Sequence, residues 1–540
     1  MGFFKRSSLE VGQVETGFSS SISPKQPSPH GSSLDNRQDL EKRDSLSDGD
    51  NGRPSSYNTD GRLLSDKDHT TRSLKTRHIQ LIGTAEMVTY LPISSPFIRF
   101  AGRYFDEALC VATGWNFFVF QAFQIPFEAT ACNMILNFWT DRAPVGAIVA
   151  IVLVLYLLLN VFAVKFYGET EFWLSLGKML LIVGMICYTF VTMVGGNPEH
   201  DRFGFRYWRD PGSFAEYYKT GDLGRWLGFL QCLIQASFSI SGPDYVSMAA
   251  GEAENPRSIL PRAYNSVFVR LTAFFVFGSL AVGINVPYND PSMKAAFDSG
   301  APGATASPYV VAMTRLRIKV LPDIVNAMIL TACFSAGNSY VYCASRSLFG
   351  LALEGKAPHF FTKCTKSGVP IYCVLASLAI GLLAFLQVSE SAAVVLQWFV
   401  NLITASQLIN FAVMAFIYTR FKKACEAQGI DRNTLPYKGR FQPFLAWYAF
   451  TGCVVMAFVG GYQVFCPGKW DTPTFFFSYT MIGVFPILYF GWKIIKGTKI
   501  LKPEEIDITT GVAEIDEYSR NYVPKPPANF LERLLDILFG

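Results

Sequence analysis

Charge is scarce in this chain. Only 16% of its 540 residues are charged, while 50% are hydrophobic and 15% aromatic. With a mean hydropathy of +0.25, it is too apolar for an ordinary soluble protein of this size and belongs in a bilayer. The formal net charge of +5 is small and spread over tails and loops, so no nucleic-acid partner is implied. Histidine is rarer still: five residues, none at His-x-x-x-His spacing, remove the usual metalloenzyme signals. The eleven cysteines include no Cys-x-x-Cys pair and lie mostly in apolar runs, which reads as buried small hydrophobes rather than disulfides or metal ligands. No nucleophile–base spacing stands out, so an enzyme is disfavoured, and no catalytic residue, metal or cofactor is expected.

Residues 1 to about 75 are rich in Ser, Asp, Gly, Pro and charge. They read as a disordered cytoplasmic tail without the apolar core of a signal peptide. Ser45, Ser47, Lys67 and Lys75 offer positions for regulatory modification by trafficking or ubiquitylation machinery, and a solvated tether is the plainer reading. At about 20 apolar residues per crossing, ten runs qualify, near 113–138, 144–164, 172–195, 226–250, 266–287, 323–346, 371–388, 392–418, 443–465 and 474–495. An even count puts both tails on one side. Short loops on one face carry Arg346, Lys356, Lys363, Lys366, Arg420, Lys422 and Lys423, whereas the opposite short loops offer Arg142 and Lys469. The excess predicts that both termini are cytoplasmic. Residues 76–498 thus form a membrane domain, and 499–540 form a cytoplasmic tail whose end, Phe530 to Phe539, has apolar residues at the spacing of a short amphipathic helix.

One apolar run is interrupted. Between Gln231 and Tyr264 a helix candidate meets Ser239-Ile240-Ser241-Gly242-Pro243 and then empties into a charged loop at Glu252. Pro243 has no backbone N–H and its ring clashes with the preceding turn, yet the apolar run continues beyond it. The pattern predicts two half-helices, with Ser241 as N-cap and Pro243 in the first turn of the second. Unwound backbone survives at membrane depth only where protein or a water-filled cavity covers it, so the break is a site hypothesis. The alternative treats these small residues as close helix packing.

Several segments together resemble the fungal amino-acid permeases of the amino acid–polyamine–organocation superfamily. Ser237 to Arg262 is similar to that family's sixth-span signature, and Ser335 to Pro358 to its eighth span and following loop. Glu86 to Pro92, Gln428 to Asp431 and Leu435 to Tyr437 also match, so the resemblance covers about 76–520. It implies an all-α polytopic membrane protein with the leucine-transporter-type inverted-repeat fold, whose first and sixth spans are broken where the substrate's carboxylate and amine bind. After Gly83, where the family has a glycine-rich broken first span and then a second span, this chain passes directly to Thr84-Ala85-Glu86. About two spans are therefore expected to be missing, leaving ten instead of twelve. A skipped exon, a mispredicted intron and a genuine short form would all give this sequence.

The substrate-binding candidates are Phe238, Ser239, Ile240, Ser241, Gly242 and Asp244 at the break, with Ser335 and Asn338 as cavity lining. Phe238 resembles the family's aromatic gate, although a lone phenylalanine in a span is usually packing. Asp244 stands where relatives commonly carry glutamate. Glu128, near the middle of its span and without a basic neighbour on its helix, suits proton coupling or contact with a substrate amine. A hydrogen bond to a neighbouring helix is the alternative. Lys178 resembles a fifth-span lysine that replaces a sodium ion in proton-coupled relatives, or else it snorkels to the cytoplasmic interface. Ser339, Thr404, Ser406 and Gln407 extend the polar positions, and Glu252, Glu254, Arg257, Arg346, Glu354 and Lys356 read as structural or gating pairs. The resemblance implies a plasma-membrane permease importing an amino acid with protons by alternating access. The rival readings are a transport-incompetent fragment and a permease-like amino-acid sensor.

Overall fold

The computed structural model describes residues 86–93, 96–140, 142–162, 167–239, 255–293, 307–365, 368–438 and 442–522. All lie within the compact unit Tyr57–Gly540, and every regular element among them is helical. In chain order they are α1 (Glu86–Tyr90), α2 (Pro96–Tyr104), α3 (Glu107–Leu136), α4 (Val145–Phe162), α5 (Tyr167–Met193), α6 (Gly221–Ser239) and α7 (Pro256–Asn285). There follow α8 (Pro308–Arg315), α9 (Leu321–Leu353), α10 (Ile371–Gly381), α11 (Ala392–Ala427), α12 (Phe444–Val459), α13 (Thr472–Lys496) and α14 (Val512–Asn521).

Among the described residues, seven segments are long and apolar enough to cross a membrane: α3, α4, Trp173–Met193 of α5, α9, Ile371–Val388, α11 and α13. The other three runs expected from sequence take shorter or partial forms. Thr272–Asn285 is the apolar end of α7, and α12 gives way to a tight turn at Tyr462–Phe465. The 226–250 run is described only as far as Ser239, in α6. Lipid-facing surfaces explain what would otherwise be misplaced side chains. On α4, Ile151, Val154, Leu155, Leu158 and Leu159 are exposed while Val149, Val152 and Tyr156 face inward.

Helix α3 is the axis of the packing. It is buried on nearly every side, as a helix apolar all round must be, and α9, α11, α10 and α13 pack around it. Asp106 caps it by accepting from the Ala108 N–H at 3.0 Å and is held from the other side by Lys493 of α13. Pro126 lies inside α3 without ending it. Asn116 of α3 donates to the Ser406 carbonyl and to Asn410 Oδ1, both at 2.9 Å, and receives the Ser406 hydroxyl in return, which fixes α11 against α3. Ser406 is thus an interhelical anchor.

The chain beyond α13 runs back over one end of the bundle as a strap. Ile506, Ile508 and Ile515 are buried in one apolar cluster with Met87, Leu91, Tyr104 and Phe421. Gln428 donates to the carbonyls of Pro503 and Ile506, Arg257 of α7 pairs with Asp516, and Arg103 donates to the carbonyls of Asp507 and Thr510 at 2.6 and 2.8 Å while pairing with the Asp507 carboxylate at 3.1 Å. Burial alone would push the Asp507 carboxyl up, but the Thr510 N–H and the Arg103 guanidinium outweigh it and hold it below its ordinary 3.8. A depressed carboxyl stabilises the docked form fully above its unfolded value and ceases to do so as pH falls through the folded one. Pepsin digestion should therefore leave 501–511 intact at pH values above 3.8 and cut it at lower ones. In Asp507→Asn the cutting should no longer depend on pH.

Candidate functional site

Helix periodicity places Glu171, Ser175 and Lys178 on one face of α5, because residues four and seven apart stack one above another. That face meets Ser335 and Ser339 on α9. Lys178 Nζ donates to Glu171 Oε1 at 3.3 Å and to Ser335 Oγ at 3.0 Å. The Ser335 hydroxyl in turn donates to Glu171 Oε2 at 2.8 Å, and Ser339 Oγ lies 3.2 Å from the same oxygen. Ser175 Oγ approaches Glu171 Oε1 at 3.5 Å. The result is a closed polar circuit between two helices, with Ser335 buried and the Glu171 and Lys178 side chains partly exposed.

Two further helices complete it. Asn160 of α4 donates to Asn338 Oδ1 at 2.8 Å and to the Tyr156 carbonyl at 3.0 Å. Glu128 of α3 is buried; the Cys333 thiol of α9 is its hydrogen-bond partner, and the charge that acts on it belongs to Lys178. Phe127, beside Glu128, meets the ring of Phe238 edge-on with centroids 5.2 Å apart, so the end of α6 reaches the same region of α3. Ser239 is exposed and donates to the Gln235 carbonyl at 3.0 Å. Ile240, Ser241, Gly242 and Asp244 lie outside the described residues, as does the break they define.

Lys178 thus bridges a carboxylate on its own helix and a hydroxyl on α9, with a second carboxylate buried on α3, and ionisable groups on spanning helices are functional-site candidates by default. Residues 79–504 match the amino acid permease family profile. The chain belongs to that family. It is 47% identical over 446 residues to the general amino acid permease AGP2 of Saccharomyces cerevisiae, covering 81% of this chain and 74% of that protein. It is 42% identical to the proline-specific permease of Emericella nidulans, covering 83% and 82% of the two chains, and 37% identical to the dicarboxylic amino acid permease of S. cerevisiae, covering 79% and 70%. These relatives are permeases, not enzymes.

In this permease the structure brings Glu128, Lys178, Ser335 and Asn338 together. Lys178 reaches across to Ser335 of α9. Ser339 joins the circuit, and Thr404 turns back onto the Val400 carbonyl of its own helix. Sequence reasoning missed Glu171, the residue with the most contacts to the others. Three of the charges assigned to loops form ion pairs: Arg257 with Asp516, and Glu354 with Lys356, Arg99 also holding Glu354, at 2.6 and 2.8 Å respectively. Burial works against the Glu354 carboxylate, but the Lys356 and Arg99 charges prevail and keep its carboxyl below the usual range. Arg346 lies over the Tyr342 ring.

Proposed function

We propose that this permease carries an amino acid across the plasma membrane together with a proton, by alternating access in an inverted-repeat fold with both termini cytoplasmic. The observation that supports the coupling is Lys178 of α5 hydrogen-bonded to Ser335 of α9, because this residue resembles the fifth-span lysine that replaces a sodium ion in proton-coupled relatives. Glu128 supplies the titratable group on the central helix. The substrate site proposed is the sequence break that follows Phe238, Ser239 to Asp244, and the half-helix terminus that its Ser-Gly-Pro pattern predicts would favour a carboxylate. The relatives' names span general, proline-specific and dicarboxylic permeases, so the substrate proposed is an amino acid as a class.

The test is uptake of labelled amino acids by cells lacking endogenous permeases. Uptake is expected to rise as external pH is lowered and to disappear with a protonophore. Uptake indifferent to both overturns the coupling. Binding to the purified protein without uptake favours a sensor, and neither binding nor uptake favours a transport-incompetent fragment. That last reading has its own observation: the direct passage from Gly83 to Thr84, which leaves no room for the resembled family's first two spans. Transcript reads across Ile82 to Glu86 separate a short form from a gene-structure error.

A further inference from the structure

Glu171 and Glu128 stand on different helices, and one lysine serves both. Lys178 contacts Glu171 directly, and its charge acts on Glu128 from across the helix interface. The other titratable groups facing Glu128 are Cys132 on α3, Tyr156 on α4 and Cys333 on α9; thiols and phenols of this kind carry no charge near neutral pH unless something activates them. The remaining partners, Ser175, Ser335, Ser339, Asn160 and Asn338, are polar and uncharged. With both carboxylates ionised, the described cluster therefore sums to one negative charge. A single proton brings it to zero, the state a low-dielectric interior favours.

We propose that Glu171 is the second carboxylate of a two-carboxylate, one-lysine proton site, which takes up a single proton while Lys178 pairs with whichever carboxylate stays ionised. The inference deepens the coupled-transport reading by naming where the proton resides. In the arrangement described here Lys178 lies on Glu171, so the proton is on Glu128. Moving the ammonium to Glu128 ionises that group and leaves the proton for Glu171. One O–H bond is broken at Glu128 and one is made at Glu171, and nothing else changes. The Ser335 hydroxyl touches both Lys178 and Glu171, and the Ser339 hydroxyl, one turn further along α9, reaches the same Glu171 oxygen. Glu171 sits within the first turns of α5, the end that the loop charges assign to the cytoplasm, and so it is the member from which the proton departs.

The number of protonated carboxyl groups can be read without transport. Infrared difference spectra of the full chain in lipid nanodiscs near neutral pH should show a carboxylic C=O band that shifts in D2O and corresponds to one group. Glu171→Gln is expected to abolish it, because Lys178 is then freed to pair with an ionised Glu128. Glu128→Gln is expected to abolish it as well, and Lys178→Met to double it, since neither carboxylate keeps a counter-ion. Glu171→Asp should retain it. If Glu171 merely props up Lys178, Glu171→Gln leaves the Glu128 band in place, and that result overturns the proposal. Unaltered intensity in Lys178→Met also overturns it, and this second variant decides the matter should Glu171→Gln fail to fold by circular dichroism. Absence of uptake by the wild-type chain counts against the transport reading alone, because the carboxyl count does not depend on turnover.

Discussion

Replacing Glu86 by alanine is expected to lower the free energy of unfolding by about 3 kcal/mol or more, as removal of one member of a buried ion pair does elsewhere. The α1 carboxylate is nearly inaccessible, with 2% of its side chain exposed against 20% for Arg432. Arg432 grips it through two parallel bonds of 2.8 Å, Nε to Oε1 and Nη2 to Oε2, and the Tyr418 hydroxyl of α11 adds a third at 3.0 Å. A fork of this kind is the strongest form of carboxylate recognition. Removing it leaves a guanidinium and a phenol facing a vacated site. A cavity of about 220 Å³ borders the pair, lined by Phe421, Lys422, Ile430 and Leu435 among others, so water can reach Arg432 and keep the loss at the lower end of the range. Glu86→Ala/Arg432→Ala should lose clearly less than the sum of the single variants, because neither charge is then abandoned. Thermal unfolding in detergent provides the measurement. Additive losses would mean that the two side chains are stabilised separately and that the fork contributes no coupling.

Seven of the ten runs read from the sequence correspond, among the described residues, to helices long and apolar enough to span, because membranes impose one requirement, a run of about 20 apolar residues, and that requirement is written residue by residue. Helix α3 could be placed despite Pro126, since the apolar run continues through it, and Glu128 stood out as a charge in the middle of such a run. The same logic concealed Glu171. A hydropathy window begins where charge ends, and it put the start of that span at 172, one residue too late. The overlooked signal was periodic: Glu171, Ser175 and Lys178 are spaced by four and three, so all three belong to one face of α5. The strap was hidden for the opposite reason. Ile506, Ile508 and Ile515 are scattered among charges and show no amphipathic stripe, yet each is buried because the end of the bundle supplies their partners. No local pattern can report a contact between Arg103 and Asp507, which are four hundred residues apart.

Gly337→Ala is expected to disturb the ion site from a position that touches none of its charges. A β-carbon at Gly337 would fall 2.0 Å from Tyr156 Oη, 2.5 Å from its Cζ and 3.0 Å from its Cε2. Tyr156 has no exposed surface and its ring already lies 5.1 Å from that of Phe334, so it has nowhere to retreat. The helices must separate instead, at a cost of about 1–3 kcal/mol for overpacking of this size. Tyr156→Phe in the same chain removes the 2.0 Å encounter but leaves the ring carbon at 2.5 Å, so it should restore only part of the loss. The functional consequence follows from where the glycine sits. Asn338 is its neighbour in sequence, and Ser335 and Ser339 lie two residues to either side, so an α9 displaced from α4 stretches the Asn160–Asn338 bond of 2.8 Å and the Lys178–Ser335 bond of 3.0 Å together. Gly337→Ala should therefore lower the melting temperature in detergent and also weaken the one-proton carboxyl band, whereas Gly452→Ala on α12, where nothing lies within 4 Å of the added carbon, should change neither. An unaltered band in a destabilised Gly337→Ala would show that the α5–α9 circuit holds its geometry independently of the α4 contact.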